Sequence, residues 1–267
     1  MRTAKPKGPI QHIVIVVKEN HAFDNYFGRF PGADGDPNLA LASDPPSADH
    51  PHDHAGWLVR ATGAAREQYD QRNIPNYWRY AQRYTLCDRY FTAVAGPSTP
   101  NHLMLIAADS PIINNPHYRD PISQQPPFNI PSLPASLEKA GLTWRNYGGY
   151  AHGYISALKS SKNNVTAQQF ARDAAAGKLP SVSWLYGPKG LSEHPVEPVR
   201  AGEKWKDGTQ FSYGSRVGCL VLSPYAKAAH ISHTQHSHIS LVKFCEDIRA
   251  TANQCPRQSG RRYVGLL

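Results

Sequence analysis

The sequence predicts a mixed α/β fold, one domain built on a mostly parallel sheet, and three observations predict it. The chain has 267 residues, enough for a sizeable core, and α/β folds often use this length as a single unit. Short β-branched runs such as "HIVIVV" (12–17) alternate with segments of helical character, the order expected of a parallel sheet with crossover helices. No internal repeat or heptad pattern competes with that reading. The 23 prolines and 20 glycines, with a mean hydropathy of −0.53, add many ordered loops, which often build sites.

Taken in order, "HIVIVV" is a continuous apolar run of the kind buried on both faces of a parallel sheet. It ends at Lys18, Glu19 and Asn20, and the carboxyl ends of such strands are where open α/β sheets place ligands. "HAFDNYFGRF" spaces Phe23, Phe27 and Phe30 to share one side of a short helix. The loop that follows is loaded with helix and strand breakers and carries His50, His52 and His54. Residues 64–83 read as helical with a break near Pro75, and 84–94 as strand or bridging segment. "PSLPASLEKAG" is a short helix stopped by Gly141, and "LTWRNYGG" the next strand. "VTAQQFARDAAAG" is a helix with Thr166 as cap and Gly177 as stop. "SVSWLYG" and "GCLVLSPYAK" are strands, the second a strong one. In the last helix Leu241, Phe244, Cys245 and Ile248 form an apolar stripe that reads as core.

Composition narrows the function. A formal charge of +9 and a pI near 9.4 favour anionic partners such as phosphorylated molecules or anionic membrane surfaces, with transient contact at the latter. The basic residues form no dense run and no nucleic-acid motif is present, so a dedicated DNA or RNA role is not expected. No apolar stretch reaches the ~20 residues that span a bilayer. The start, "MRTAKPKGPIQHIVIVV", has no small-residue cleavage site and passes at once into "KEN", which predicts a cytoplasmic protein. Cys87, Cys219, Cys245 and Cys255 have no CxxC spacing, so neither a zinc knuckle nor a redox motif is indicated. Cys219 and Cys245 read as buried thiols; a bridge from Cys245 to Cys255 belongs only to an exported protein. Nothing in the sequence sets an oligomeric state.

"GPSTPNHLMLIAADS" (96–110) places two hydroxyls, Ser98 and Thr99, before a proline and an apolar helix. One reading is a capped helix, with Pro100 in its first position and Leu103, Ile106 and Ala107 on its buried face. The other is a nucleophile at the positive end of the helix dipole, where a phosphate would also bind.

The segments "IQHIVIVVKENHAFDNYFGRFPG", "FTAVAGPSTPNHL", "LSEHP", "GSRVGCLVLSPYAK" and "HTQHSHISLVKF" occur in that order. Together they resemble the bacterial phosphoesterase family of phosphatidylcholine-type phospholipases C and acid phosphatases, in the alkaline-phosphatase-like superfamily. The resemblance covers residues 9–250 of one 1–267 domain and leaves 251–267 as a tail. It implies a three-layer α/β/α sandwich with its site at the carboxyl ends of the strands. It also implies a divalent cation (Ca²⁺, Mg²⁺, Mn²⁺ or Zn²⁺) held by Glu19, Asn20 and Ser98. Ser98, two positions before the "PN" pair, takes the nucleophile's place, with Thr99 the alternative one position on. His194 and His238 match family histidines of the catalytic site; His233 and His236 read as surface or satisfied core residues. Asn20, Thr99, Asn101 and His52 or His54 would contact the phosphoryl group, with the register among His50, His52 and His54 left open. The implied reaction is phosphoester hydrolysis through a phosphoseryl intermediate, on a phospholipid or phosphomonoester, and family members are often exported.

Three departures from the family pattern stand out. The first motif reads "ENHAFD" where "ENRSFD" is usual, so His21 and Ala22 replace an arginine and a hydroxyl. The acidic segment resembling "DEHGG", followed by "DHV", is missing; Glu197, Glu203 and Asp207 are the only acids between Glu193 and Cys219. One strand of the usual sheet would be lost with it. Glu193 also stands where the family's Asp-His-Pro motif has aspartate. The sequence therefore supports a second reading, an impaired member that binds phosphorylated ligands without turnover.

Overall fold

A computed structural model describes residues 8–19, 21–46, 48–49, 53–59, 67–116, 125–194, 199 and 216–249. In chain order these form β1 (Ile13–Val17), α1 (Phe23–Phe27), β2 (Ala40–Leu41), α2 (His54–Val59), β3 (Glu67–Gln68), α3 (Pro75–Arg83), β4 (Thr85–Cys87) and β5 (Tyr90–Phe91). There follow α4 (Ser98–Ala107), α5 (Leu133–Lys139), β6 (Trp144–Tyr147), a 3-10 turn (Ala151–Tyr154), β7 (Asn164–Val165), α6 (Gln169–Ala175) and β8 (Val182–Tyr186). The last elements are β9 (Cys219–Val221), β10 (His230–Ser232), β11 (His236–Ser237) and α7 (His238–Arg249). The described residues divide into two compact units: those within 8–15, 98–186 and 238–249 form the first, and those within 16–97 and 187–237 the second.

The first unit holds the larger sheet, in the order β1-β8-β6-β7. β6 runs parallel to both β8 and β7, with Trp144 opposite Val182 and Asn146 opposite Asn164. The fold class is thus the predicted one, mixed α/β with a mostly parallel central sheet. Every residue of β8 is buried, as expected of a strand covered on both faces; β1 departs from that expectation at Val14, which is exposed. Helices α4, α5 and α7 pack on one another, and α5 on β6. Local chemistry sets α5: the Ser132 side chain accepts from the Ala135 N–H, Pro134 sits in the first turn, and Gly141 ends the segment with a φ of 72°. α6 starts later than predicted, with Gln168 rather than Thr166 at its N-cap position. The buried face of α7 also differs: Val242, Cys245 and Glu246 are buried, whereas Leu241, Phe244 and Ile248 are half-buried. The stripe is shifted because the helix packs against α4 and α5 through the side that begins at His238.

The second unit is organised by aromatic rings. Phe23, Phe27 and Phe30 stack in sequence as their spacing predicts, with centroids 5.7 and 6.1 Å apart, and Tyr26, Tyr69, Tyr77 and Trp78 complete the core. The Trp78 indole N–H donates to the Tyr26 carbonyl at 3.0 Å. Residues 67–74 are not helical, against expectation. Glu67 and Gln68 pair as a strand with β2, and Asp70 accepts the N–H groups of Asn73 and Ile74 in a turn before Pro75 opens α3. A turn former at Asp70 and the pull of the core on Tyr69 and Ile74 override the helical pattern. The smaller sheets are β10-β4-β9, with β10 parallel and β9 antiparallel to β4, and the parallel pair β11-β5. "GCLVLSPYAK" yields only the three-residue β9. Cys219 and Cys245 are buried thiols, as read from the sequence, and Cys87 joins them.

Candidate active site

α4 is built by its own sequence. Pro97 precedes it, Ser98 is its first residue, and Pro100 falls in the first turn, where a missing N–H costs nothing because the first four have no intrahelical partner. The Thr99 N–H is instead satisfied by the Asn115 side-chain oxygen at 2.9 Å. This corrects the expected arrangement, in which a hydroxyl preceded the helix as its cap with Pro100 at the first position. At the other end, the Trp184 indole N–H donates to the Leu105 carbonyl at 3.1 Å, tying β8 to the last turn.

The first turn of α4 gathers the polar groups of the first unit. Ser98, Thr99, Asn101 and His102 are all buried, Ser98 with 7% of its surface exposed. Ser98 and His102 are four residues apart and share a helix face. The Thr99 hydroxyl lies 3.0 Å from the Tyr150 hydroxyl. Tyr150 is carried there by the "YGGY" turn, where Gly148 has a φ of 89°. A Cβ on Gly149 would collide with the Tyr186 ring, so glycine is required for this close approach. The rings of Tyr150 and Tyr186 each stand 5.2 Å from His102.

Three buried histidines, His102, His152 and His238, belong to this unit. His238 opens α7, which packs on α4. His152 lies in the 3-10 turn, stacked on Trp144 at 5.7 Å and edge-on to Trp184 at 5.2 Å. Neither ring nitrogen of His152 has a hydrogen-bond partner. Burial, followed by the electrostatic influence of His102, depresses both His152 and His238 to a pKa of about 3. Both are therefore neutral imidazoles at physiological pH. His102 and His152 were not singled out in the sequence. The signal for His102 was its place four residues after Ser98; none pointed to His152.

The second unit carries the other candidates. Glu19 follows β1, and its N–H donates to the Ser192 carbonyl at 2.9 Å. This links it to the "SEHP" loop, where the His194 N–H lies 3.3 Å from the Ser192 hydroxyl. Glu193 is fully buried, paired with Lys18 at 3.3 Å and bonded by the Tyr26 hydroxyl at 2.8 Å and by the Tyr77 hydroxyl. Burial outweighs Lys18 and the tyrosines and lifts its pKa to about 7. His21, the departure in the first motif, places Nε2 at 2.9 Å from the Glu193 carbonyl. His54 heads α2, with Nδ1 2.6 Å from the Ala95 carbonyl. His233 is exposed, with Nδ1 2.7 Å from Asp88, which fits its reading as a surface residue; His236 is buried.

Asn20, His50, His52, Glu197, Glu203 and Asp207 lie outside the described residues. Among the described residues no three His, Cys, Asp or Glu side chains converge as a metal cluster, and Glu193 has both carboxylate oxygens engaged by protein groups. The described donors thus do not by themselves make a cation site.

A family model, the Phosphoesterase family, matches residues 10–47 and 52–208. The non-hemolytic phospholipase C of Pseudomonas aeruginosa is 25% identical over 252 residues, covering 70% of this chain and 36% of its own. Phospholipase C B of Mycobacterium tuberculosis is 24% identical over 279 residues, covering 72% of this chain and 53% of its own. The hemolytic phospholipase C of Pseudomonas aeruginosa is 22% identical over 381 residues, covering 89% and 52%. The chain spans about half or less of the length of these relatives. Among solved structures, Ps i-CgsB in complex with k-i-k-neocarrahexaose aligns with a TM-score of 0.51 at 10% identity, over 92% of this chain and 73% of that one. That likeness concerns the fold alone.

Proposed function

We propose, from the premise that this chain belongs to the phosphoesterase family, that it hydrolyses phosphoester bonds with Ser98 as nucleophile. The observation that carries the reading is the first turn of α4, where Ser98, Thr99, Asn101 and His102 are buried together. The turn's N–H groups and helix dipole favour a phosphoryl group there. The Ser98 oxygen attacks phosphorus, the alcohol leaves in line, and water then cleaves the phosphoseryl bond. The Tyr150 hydroxyl orients Thr99, which binds rather than attacks. An imidazole with a pKa of about 3 is a poor proton donor as imidazolium at neutral pH, so His238 serves as a neutral N–H donor to a phosphoryl oxygen.

The relatives named phospholipase C support phospholipids as the substrate class, with phosphomonoesters, the acid-phosphatase choice, second. Dependence on a divalent cation is part of the proposal and rests on the motif holding Glu19 and Asn20. When bound, such an ion would supply Lewis-acid stabilisation of phosphoryl oxygens. The absence from the sequence of the acidic segment usual in the family favours the second reading, a family member that binds phosphorylated ligands without turning them over.

Hydrolysis of p-nitrophenyl phosphate and p-nitrophenylphosphorylcholine, without metal and with Ca²⁺, Mg²⁺, Mn²⁺ or Zn²⁺, separates the readings. Turnover that requires a cation and disappears in Ser98→Ala is the expected result. No turnover above Ser98→Ala under any ion leaves the binding protein as the better account.

A further inference from the structure

The loop that carries His194 is fastened to the segment that carries Glu19 around one buried carboxylate, that of Glu193. Its carboxylate meets Lys18 at 3.3 Å and accepts from the hydroxyls of Tyr26, at 2.8 Å, and Tyr77. Its carbonyl meets His21 Nε2 at 2.9 Å. Lys18, itself buried, also donates to the Leu191 carbonyl at 2.7 Å, and the Glu19 N–H donates to the Ser192 carbonyl at 2.9 Å. Three consecutive loop residues, 191–193, are thereby bonded to three of the four residues 18–21. Glu193 holds a φ of 68°, a region that non-glycine residues occupy only when their surroundings over-determine it.

We propose that Glu193 is a positioning residue: with Lys18, Tyr26 and Tyr77 it locks Glu19 and His194, all of the second unit, into one fixed arrangement. The inference rests on the phosphoesterase reading given above. A buried carboxylate is a fitting device for this, because two tyrosine hydroxyls and an ammonium can be satisfied together only by an acceptor with two charged oxygens. A glutamine in the same place would turn an N–H₂ toward one of those donors. His21 takes part as well, which gives the "ENHAFD" departure a structural role.

The test compares the wild type with Glu193→Gln, Glu193→Asp and the double variant Lys18→Met/Glu193→Gln. The double variant removes both charges and so leaves no unpaired ion that alone would unfold the chain. Glu193→Gln is expected to lower kcat on p-nitrophenyl phosphate by about tenfold or more, with KM changed by less than about threefold. Glu193→Asp, which keeps the charge, recovers part of that loss. The double variant regains thermal stability but not kcat, and its amides at residues 19 and 192–194 exchange with deuterium faster than in the wild type. Wild-type kcat in Glu193→Gln, or stability and kcat recovering together in the double variant, overturns the proposal. Should the wild type show no turnover, the hydrolase reading fails separately, and the exchange result decides: faster exchange upholds the positioning role and unchanged exchange overturns it.

Discussion

Ser98 and Thr99 are neighbours with different surroundings in the first turn of α4, and the different tasks proposed for them are testable one atom at a time. The Thr99 hydroxyl is held by Tyr150 at 3.0 Å, whereas Ser98 shares a helix face with His102. Ser98→Ala is expected to cut kcat/KM by about a thousandfold or more, and Thr99→Val by about tenfold, mainly through KM. Steady-state kinetics of the two variants check this; the reverse order would move the nucleophile to Thr99. At this scale the sequence displayed the buried first turn of α4 well, because two hydroxyls ahead of Pro100 and an apolar helix make a local pattern. It did not display His152, whose burial comes from Trp144 and Trp184 and from a glycine turn between them. A histidine alone in a sequence carries no sign of the rings that will enclose it.

At the scale of elements, the 3-10 turn and α7 each bury a neutral histidine, and this has an energetic consequence. His152 and His238 titrate near 3 in the folded chain against 6.5 in an unfolded one. Between those values the unfolded chain binds more protons, so stability is complete above about pH 6.5 and is lost as the pH falls toward 3. Each histidine withdraws up to about 1.4 kcal/mol per pH unit in that window. Glu193 acts in the opposite sense over its own window, because a pKa raised from 4.5 to about 7 favours the folded state as protons bind. Urea unfolding from pH 7 to 4 is expected to show a net loss of stability, and His152→Gln to flatten the slope. A flat profile in the wild type would contradict the burial of these two rings as neutral groups. Helices with local stop signals, such as α5 with Ser132 and Gly141, were legible in the sequence. The short strands were less so, since β4 pairs with β9 across more than a hundred residues and no local window contains both partners. The α7 stripe was shifted for the same reason: its helical period was visible, but the side facing α4 was not.

For the whole molecule, family membership was legible because five motifs occurred in order, a property no single element has. What the motifs did not convey is a complete set of ligands for the proposed cation, since the acidic segment resembling "DEHGG" does not occur in this sequence. The net charge of +9 adds a prediction at the same scale. For an anionic substrate, KM is expected to rise severalfold between about 0.05 and 0.5 M salt while kcat holds, because attraction beyond about 10 Å is screened. A salt-independent KM would mean that the charge does not serve substrate capture. The account as a whole stands on a covalent bond to one oxygen, and trapping that bond is the most direct measurement. Wild-type protein and Ser98→Ala would be mixed with a phosphomonoester, quenched in acid and mapped by peptide mass spectrometry. The account predicts a phosphoserine at Ser98 that is absent from the variant. Turnover without phosphate at Ser98, or a phosphorylated residue that persists in Ser98→Ala, would contradict it.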